Sequence, residues 1–594
     1  MDDAETTLLT PALPLSGGRR RVAVVGGGLA GLMTAWRVAE RGIPVDLFSL
    51  VPCRRSHSVC AQGGINAAVN QKGEGDSPDI HFEETIVGGD FLAHQPPVQK
   101  MCRAAPEIVY LFDRLGVPFN RTPEGNLDFR RFGGTRFHRT AFAGATTGQQ
   151  MLYALDEQVR RLEARGLIQR FEGWDFLSLV LDENGVCRGL VAQDLRSMEI
   201  RAFRADAVVL ATGGIGALFG KSTNSQICDG SAQSAAYQQG AIYANPEMIQ
   251  VHPTALPGPD KYRLISESVR GEGGRVWVPR DGKPWYFLEE WYPRYGNLVP
   301  RDIATRAIFK VCLEMGLGVD GEMAVYLDVR HLPREVLERK LGGVIDIYRK
   351  FTGQDPAEVP MKVFPAVHYT MGGLWVDYRN RTSIPGLFAC GECNFQYHGA
   401  NRLGANSLLS CVFDGLVAAP AIEEHIEGLD RLAADLGEAP FFRERRRQEE
   451  RYERIYRMEG PENPFLLAEE LGRAMLENCT VIRYDQKLRQ TEEKILELKE
   501  RWSRISLSDR SRWANQMVAF VAHLGNMLEL GRAIVAGALA RRESRGAHWK
   551  PDFPQRDDEN WLRVTLAAWT PDGPRLTYEP VDTSLLPPRP RVYA

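Results

Sequence analysis

The sequence Val22-Ala-Val-Val-Gly-Gly-Gly-Leu-Ala-Gly31 is followed by a helical pattern and by a second apolar run that ends at Ser49. An apolar run, a glycine turn, a helix and a second apolar run predict a βαβ unit. Gly26 would make the turn, Gly28 would let a pyrophosphate approach the helix N-terminus, and Gly31 would let helix and strand pack closely. With a strand on each side, the G-x-G-x-x-G spacing indicates a dinucleotide site.

The identity of the dinucleotide follows from what is missing. Ser49 stands where an acidic residue would hold a ribose, with Asp46 earlier in the strand. The missing acidic residue argues against NAD as the cofactor more than against FAD, because FAD makes other contacts along its length. Farther on, the apolar run from Ala205 leads into Thr212-Gly-Gly214. This turn either serves the other end of a long cofactor or is an ordinary α/β turn.

Composition indicates a soluble protein of several domain-sized units. The chain has 594 residues, of which 44% are hydrophobic and 25% are charged, and its net charge is -3. The chain therefore has no excess of basic residues of the kind that nucleic-acid binding requires, and a nucleic-acid partner is excluded. The segment from Arg19 to Trp36 resembles an export signal but carries four glycines and no cleavage site, and Leu408–Ile422 is too short to span a bilayer. Neither a signal peptide nor a transmembrane helix is therefore expected.

The ten cysteines are scattered, which fits a reducing compartment. Cys390-Gly-Glu-Cys393 is the only CxxC. It could be a redox-active dithiol, but no second pair accompanies it as a zinc or iron-sulfur site would require, and no metal site is predicted.

The fold class expected from these patterns is α/β, with a Rossmann-type FAD-binding domain interrupted by an inserted α+β capping domain. Aromatic and proline-rich sequence begins near Asn245, and glycine-rich α/β sequence returns at Met371. A cleft between two such domains is a common substrate site. Residues 1–18 predict a mobile leader. The expected domains are the two parts of the FAD-binding domain at 19–246 and 363–436, the capping domain at 247–362, a helical domain at 437–543 and an irregular tail at 544–594.

Polar residues cluster where the apolar strands end. They supply histidines and arginines beside a flavin-type fold, which suits a small dianionic substrate because arginine forks grip carboxylates. Each residue alone is more often structural than catalytic. The clusters are His252-Pro-Thr254, Ser266-Glu267 with Arg270, Arg301-Asp302, His368 to Gly373, and His398 to Ser407. A polar loop with His57 at its centre, Arg54-Arg-Ser-His-Ser-Val-Cys-Ala-Gln-Gly-Gly-Ile-Asn66, follows the βαβ unit.

Together these motifs resemble the flavoprotein subunit of succinate dehydrogenase and fumarate reductase over nearly the whole chain. The resemblance is carried by the glycine turn, the His57 loop, Arg131-Phe-Gly-Gly134, His252-Pro-Thr254, Asn401-Arg-Leu-Gly404, Glu543-Ser-Arg-Gly-Ala-His548 and Arg556-Asp-Asp558. It implies a covalent 8α link between FAD and His57, and proton transfer by Arg301 through Glu267 and Arg270.

The resemblance also implies the rest of the site. The dicarboxylate would be held by His252, Ser266, His368, Arg402 and Phe132. The flavin contacts would come from Gly26, Gly28, Gly31, Ser49, His57, Ser58, Gln62, Gly63, Gly64, Thr212, Gly213, Asn224, Asp229, Glu392, Ser407 and Leu408. A cofactor role for Glu392 competes with the dithiol interpretation of its two cysteine neighbours.

The implied activity is oxidation of succinate to fumarate, and fumarate reduction uses the same groups in reverse. Gln62, where some fumarate reductases carry Glu, favours the dehydrogenase. Because the chain has no cysteine cluster for an electron relay, a separate iron-sulfur subunit and, through it, a membrane anchor at the cytoplasmic face of the cell membrane are expected. The rivals are L-aspartate oxidase, which lacks the flavin-linking histidine, and a non-catalytic FAD-binding module.

Overall fold

The computed structural model describes residues 20–593. The leader expected at residues 1–18 lies outside the described residues. The strands are β1 (Val22–Val25), β2 (Val45–Ser49), β3 (Ile65–Asn66), β4 (Phe129–Arg130), β5 (Thr140–Ala141), β6 (Ile168–Glu172), β7 (Trp174–Leu181), β8 (Cys187–Asp194), β9 (Ile200–Arg204), β10 (Ala207–Leu210), β11 (Tyr243–Ala244), β12 (Ile249–Leu256), β13 (Arg263–Leu264), β14 (Arg275–Arg280), β15 (Lys283–Trp285), β16 (Val325–Asp328), β17 (Met361–Thr370), β18 (Gly373–Leu374), β19 (Leu387–Ala389), β20 (Arg563–Ala568) and β21 (Arg575–Pro580).

The α-helices alternate with these strands in the first half of the chain and dominate after residue 400. They are α1 (Leu29–Ala39), α2 (Pro78–Gly88), α3 (Gln95–Arg114), α4 (Thr147–Glu163), α5 (Ser231–Gln238), α6 (Ser268–Gly271), α7 (Phe287–Trp291), α8 (Arg301–Phe309), α9 (Arg334–Arg339), α10 (Gly342–Thr352), α11 (Ser407–Glu427), α12 (Ala439–Tyr456), α13 (Pro464–Asn478), α14 (Asp485–Trp502), α15 (Gln516–Ala540) and α16 (Asp558–Trp561). Short 3-10 turns include Cys53–Arg55, His57–Cys60 and Gly391–Cys393.

The predicted βαβ unit lies at the centre of a five-stranded parallel sheet. The strand order is β19-β10-β1-β2-β6, and every neighbouring pair is parallel. All four residues of β1 are buried, as expected for a strand covered by helices on both faces. Helix α11 approaches α1 closely at Gly415, where a Cβ atom would lie 2.7 Å from Met33 Cγ. Strands β7, β8 and β9 form a separate antiparallel sheet that belongs to the same half of the chain.

The inserted domain is built on a six-stranded antiparallel sheet of order β13-β12-β17-β16-β14-β15. It has a hydrophobic core of its own, in which Val276, Phe287, Ile308 and Leu327 are buried. The boundary expected at residue 362 falls inside β17, which pairs with both β12 and β16. The strand is continuous across residue 362, and no glycine turn or change of composition marks a boundary there before Met371.

Helices α12 to α15 form the helical segment, and α15 is its most apolar helix. Within residues 20–593, α15 alone is long and apolar enough to cross a membrane, with a mean hydropathy of 1.3 in its most apolar window. However, 78% of that window is buried inside the protein. A Cβ atom at Gly531 of α15 would lie 3.2 Å from Ile495 of α14, so the two helices pack tightly. Unlike Leu408–Ile422, this helix was not predicted as a long apolar stretch.

The expectation of an irregular tail was wrong for part of it. Strands β20 and β21 form a hairpin that joins β11 and β18 in a four-stranded sheet. Val564, Thr565 and Ala567 are buried in β20, whereas β21 is half exposed. The hairpin is held by pairing of β20 with β11, in which Tyr243 faces Ala567, more than 300 residues later in the chain. No local sequence pattern reveals such a partner.

Candidate functional site

The glycine turn has the geometry that its sequence predicts. Gly26 has φ +121°, and a Cβ atom on it would lie 2.1 Å from Ala211 O of the neighbouring strand connection. A Cβ atom on Gly31 would lie 1.8 Å from Gly26 O. Gly28 precedes α1 in an extended conformation, and Leu29 N donates to Ser58 Oγ at 3.0 Å. The turn thus brings the His57 loop onto the N-terminus of the first helix.

We expect Gly26→Ala to unfold the chain at much lower denaturant concentration. Its methyl group would overlap Ala211 O, and its φ is one that residues with side chains rarely adopt, so we expect a loss of about 3 kcal/mol or more. Gly42→Ala is the matched control, because Gly42 has φ +77° but nothing within 4 Å of the added atom. That variant should lose only about 1 kcal/mol in the same urea titration. Equal losses would show that Gly26 is merely one more strained glycine.

The His57 loop is packed against helix α4. Gly148 N donates to Ala61 O at 2.9 Å, and a Cβ atom on Gly148 would lie 2.1 Å from Ser58 O. The His57 ring is held between backbone and side chain: Ser225 N donates to Nδ1 at 3.1 Å, and Asn224 Nδ2 lies 3.0 Å from Nε2. Burial, with a contribution from Lys261, lowers the pKa of His57 to about 3. The imidazole is therefore neutral and nucleophilic at physiological pH.

A single cavity of about 570 Å³ brings most of the predicted residues together. Its wall includes Gly26, Gly28, Ser49, His57, Ser58, Gln62, Gly63, Gly64, Phe132, Thr212, Gly213, Asp229, His252, Ser266, Glu267, Arg301, His368, Glu392, Arg402, Ser407 and Leu408. Three predicted residues are not in the wall: Gly31 packs on Gly26, Asn224 contacts His57, and Arg270 lies behind Glu267. The elongated set runs from the glycine turn to the residues of the inserted domain.

One end of the cavity contains a buried chain of charged groups. Arg301 Nε donates to Glu267 Oε2 at 2.7 Å, and Arg270 NH2 lies 3.2 Å from Glu267 Oε1. Gly133 N also donates to Oε1, at 2.8 Å. Burial raises the pKa of Glu267, but Arg301 and Arg270 outweigh it and hold the pKa below its usual value. Glu267 is therefore a carboxylate that bridges the two arginines.

The same end presents unpaired hydrogen-bond donors. His252 Nδ1 contacts Thr254 N at 3.1 Å and Thr254 O at 3.2 Å. When Nδ1 accepts from Thr254 N, the neutral ring carries its proton on Nε2, which is buried without a partner among the described residues. Burial, followed by the nearby arginines, holds the pKa of His252 well below its usual range. Arg402 Nε is likewise unpaired, and burial lowers the pKa of this guanidinium to about 9. Two orphaned donors beside Arg301 suit a small anion.

His368 and two residues that sequence analysis missed complete this end. The rings of His368 and His252 lie edge to face with centroids 5.0 Å apart, and His368 Nδ1 lies 2.7 Å from Thr223 Oγ1. Gln250 Oε1 accepts from Arg301 NH1 at 2.9 Å, and its Nε2 donates to Arg402 O at 2.8 Å. Strand periodicity could have found Gln250, because it lies two residues before His252 in β12 and therefore shares its face.

The flavin-type end also has the unsatisfied polar atoms expected of a cofactor cradle. Gln62 Oε1, Thr212 Oγ1 and Asn224 Oδ1 are buried with no partner among residues 20–593. Burial raises the pKa of Glu392 to about 7, although Thr370 N donates to its carboxylate at 3.0 Å. A dinucleotide would supply partners for such atoms, so the residues present fit FAD.

The Cys390 and Cys393 thiols are free and fully buried. Burial raises the pKa of Cys393 to about 12, and its Sγ lies 2.9 Å from Leu210 O. Thiols in such surroundings are not thiolates at neutral pH. The geometry therefore favours the structural interpretation of the CxxC sequence over a redox-active dithiol.

Comparisons with known proteins show the family to which the chain belongs. Residues 21–408 match the FAD binding domain family, so the parallel sheet and cavity define an FAD-dependent oxidoreductase. Residues 468–593 match the fumarate reductase flavoprotein C-terminal family. The chain belongs to the family of succinate dehydrogenase and fumarate reductase flavoprotein subunits.

Two relatives and one solved structure show how close the match is. The succinate dehydrogenase flavoprotein subunit of Bacillus subtilis is 59% identical over 96% of this chain and 98% of its own length. The fumarate reductase flavoprotein subunit of Escherichia coli is 36% identical over 96% of this chain and 95% of its own. A solved variant of Escherichia coli quinol fumarate reductase superposes with a TM-score of 0.90 at 34% identity, covering 97% of this chain and 99% of that one.

Proposed function

We propose that the chain oxidises succinate to fumarate as the flavoprotein subunit of a succinate dehydrogenase, with FAD held covalently through His57. The observation that carries this proposal is the meeting of two unpaired donors, on His252 and Arg402, with the Arg301–Glu267 ion pair in one buried cavity. When bound, FAD supplies the acceptor for the hydride. The chain's own residues must do the rest.

Binding is the task of the donors at the inserted-domain end. Arg402 would grip one carboxylate and His252 the other, while His368 and Ser266 complete the hydrogen bonds and Phe132 closes the floor. Buried guanidinium groups bind carboxylates through charge-assisted bonds that are roughly twice as strong as neutral ones. Fixing both ends of a four-carbon dianion aligns its central carbons, and such positioning contributes about 7 to 11 kcal/mol in well-oriented systems.

Proton transfer is the task of Arg301. A free arginine is almost never neutral in a protein, so removal of a proton from succinate requires its own proton to leave at the same time. The 2.7 Å contact between Arg301 Nε and Glu267 Oε2 supplies that exit, and Arg270 lies next in line at 3.2 Å. Concerted transfer through Glu267 avoids an isolated neutral guanidine.

The direction of the reaction is proposed from similarity and from Gln62. The Bacillus subtilis succinate dehydrogenase subunit is 59% identical to this chain, whereas the Escherichia coli fumarate reductase subunit is 36% identical. Gln62 lines the cavity and donates to Leu264 O at 3.0 Å. A neutral residue here, where some fumarate reductases carry Glu, fits a site that oxidises succinate.

Electrons must leave the chain after each turnover. We propose that they pass to a separate iron-sulfur subunit and on to quinone through membrane anchor subunits, with this chain held peripherally at the cytoplasmic face. The ten scattered cysteines of the chain offer no cluster of ligands for an internal relay. Recovery of the chain as a fully quinone-reactive single polypeptide would contradict this assembly.

A substrate comparison tests the proposed reaction. The complex, purified from its source and assayed with an artificial dye as electron acceptor, should oxidise succinate and leave L-aspartate untouched. Aspartate turnover without succinate turnover would instead support an aspartate oxidase. The Phe132-Gly-Gly134 segment argues against that outcome, because Gly133 N donates to Glu267, whose carboxylate is already bridged by two arginines and therefore poorly placed to receive an ammonium group.

A further inference from the structure

A buried histidine of the helical segment lies between two carboxylates at the wall of the cavity. His523 of α15 has Nε2 at 2.7 Å from Asp175 Oδ2 and Nδ1 at 2.8 Å from Asp229 Oδ2. The three side chains are 13%, 4% and 15% exposed, respectively. They come from α15, from β7 and from the turn before α5, so the cluster joins the helical segment to the FAD-binding fold.

The cluster borders the cavity close to the end of strand β2. His523, Asp175 and Asp229 all line the cavity. Trp174, next to Asp175, packs edge to face on Phe48, which precedes Ser49 at the end of β2. In a dinucleotide-binding fold the end of the second strand approaches the ribose of the nucleoside half. His523 therefore belongs to the part of the wall that faces the nucleoside.

The hydrogen-bond chemistry fixes the charge of this cluster. An ionised carboxylate only accepts hydrogen bonds, so an imidazole that faces one at each nitrogen must donate from both and carry a positive charge. Burial alone would lower the pKa of His523, but Asp175 and Asp229 outweigh it and raise the pKa well above its ordinary value. Arg451 and Tyr452 of α12 are the other titratable groups close to Asp175. With Arg451 included, two cations face two carboxylates, so the charges of the cluster balance while the Asp229 carboxylate still borders the cavity.

The second oxygen of Asp229 is held as well. Asp229 Oδ1 accepts from Ser231 N at 2.8 Å, so both carboxylate oxygens have a fixed direction while the side chain still borders the cavity. A negative, oriented carboxylate accepts hydrogen bonds from hydroxyl and amino groups and repels phosphate. These properties match the sugar and base of a nucleoside rather than the pyrophosphate at the glycine turn.

We propose that His523 is a positioning residue for FAD, which holds the Asp229 carboxylate against the nucleoside half of the cofactor and thereby couples docking of α15 to FAD affinity. The inference rests on the proposed binding of FAD in this cavity. It assigns a role in the cofactor site to a residue of the helical segment, which the glycine motif and the His57 loop do not include.

The competing interpretation is that His523 only holds α15 against the FAD-binding fold and has no effect on the cofactor. Asn526, one turn later on α15, provides the control because it also links α15 to α5, through neutral hydrogen bonds: its Nδ2 donates to Ser231 Oγ at 2.8 Å, and its backbone O accepts from Ser234 Oγ at 2.7 Å. Asn526 does not border the cavity. If the contact is only structural, Asn526→Ala and His523→Gln should weaken FAD binding equally. If His523 is a positioning residue, His523→Gln should weaken FAD binding more than Asn526→Ala.

The experiment measures FAD affinity rather than activity. In the full chain carrying His57→Ser, FAD is held without a covalent bond, so its dissociation constant can be measured by equilibrium dialysis. Adding His523→Gln should raise that constant about tenfold, the effect of losing one charge-assisted hydrogen bond, while Asn526→Ala should change it less than about threefold. Adding Asp229→Asn to His523→Gln should cause little further loss, because the two residues act as one unit.

Each outcome is decisive. Equal weakening by His523→Gln and Asn526→Ala, or no weakening by either, would overturn the inference while leaving the proposed function intact. A His57→Ser chain that binds no FAD at all would overturn the proposed function first. If His523→Gln does not fold, nitrogen NMR of the His57→Ser chain labelled at histidine answers the question: a shift of the His523 ring signals on addition of FAD supports the inference, and unchanged signals contradict it.

Discussion

Arg301→Gln is expected to abolish succinate oxidation while leaving FAD in place. Glutamine retains a donor for Glu267 but cannot take a proton from the substrate, and loss of a positioned acid or base typically costs about a hundredfold to ten-thousandfold in rate. Arg301 also makes a 2.9 Å bond to Gln250 Oε1, so the variant loses a contact that holds the site in register. We expect a fall of about a thousandfold in dye-coupled turnover with unchanged flavin content.

Arg306→Gln is the control for this prediction. Arg306 lies on the same helix and pairs with Asp302 at 3.2 Å, but its side chain is 24% exposed and borders no part of the cavity. A partly exposed pair of this kind contributes about 1 kcal/mol or less, so turnover should stay close to that of the native chain. Unchanged succinate oxidation in Arg301→Gln would revive the view that the chain only binds FAD.

His57→Ser is expected to keep FAD and to lose succinate oxidation well before fumarate reduction. Attachment at the 8α position should raise the flavin potential, which matters most when hydride comes from a poor donor such as succinate. Each fall of about 30 mV in a two-electron potential changes the equilibrium constant about tenfold. Dye-coupled succinate oxidation should therefore fall more than about tenfold, while fumarate reduction driven by a strong artificial donor should stay within about threefold.

Arg55→Ser provides the matched control in the same loop. Arg55 is exposed and does not border the cavity, so its replacement should leave both directions and the covalent flavin unchanged. Flavin fluorescence that remains on the chain after denaturation reports the bond directly, and it should disappear only in His57→Ser. Equal loss of both reaction directions in His57→Ser would show that the histidine does not tune the potential.

The sequence predicts those parts of the fold that depend on short, contiguous sequence patterns. The glycine turn needs φ +121° at Gly26 and close contact at Gly31, requirements that only glycine meets, so the pattern is readable without a structure. The parallel strands are likewise predictable as continuous apolar runs, because helices cover both of their faces. The tail hairpin was misjudged because its partner strand β11 lies far away in the sequence, whereas β17 was divided because no local signal marks a boundary at residue 362.

The residues of the candidate site also differ in whether the sequence alone could predict them. The motif histidines and arginines were predicted because a family resemblance places them, whereas Gln250 and Thr223 were missed although they contact Arg301 and His368. Gln250 could have been found from the alternation of β12. His523 could not, because it is nearly 300 residues from Asp229 and lies in an apolar helix that packs as core.

The colour of the bound flavin shows whether this cavity oxidises succinate. The purified complex is held without oxygen or dye, and the visible absorbance of its bound flavin is followed after addition of succinate. If this cavity oxidises succinate, the flavin should bleach, fumarate should restore its colour, and Arg301→Gln should leave it unbleached with succinate present. A flavin that stays oxidised with succinate but bleaches with another donor would contradict the account.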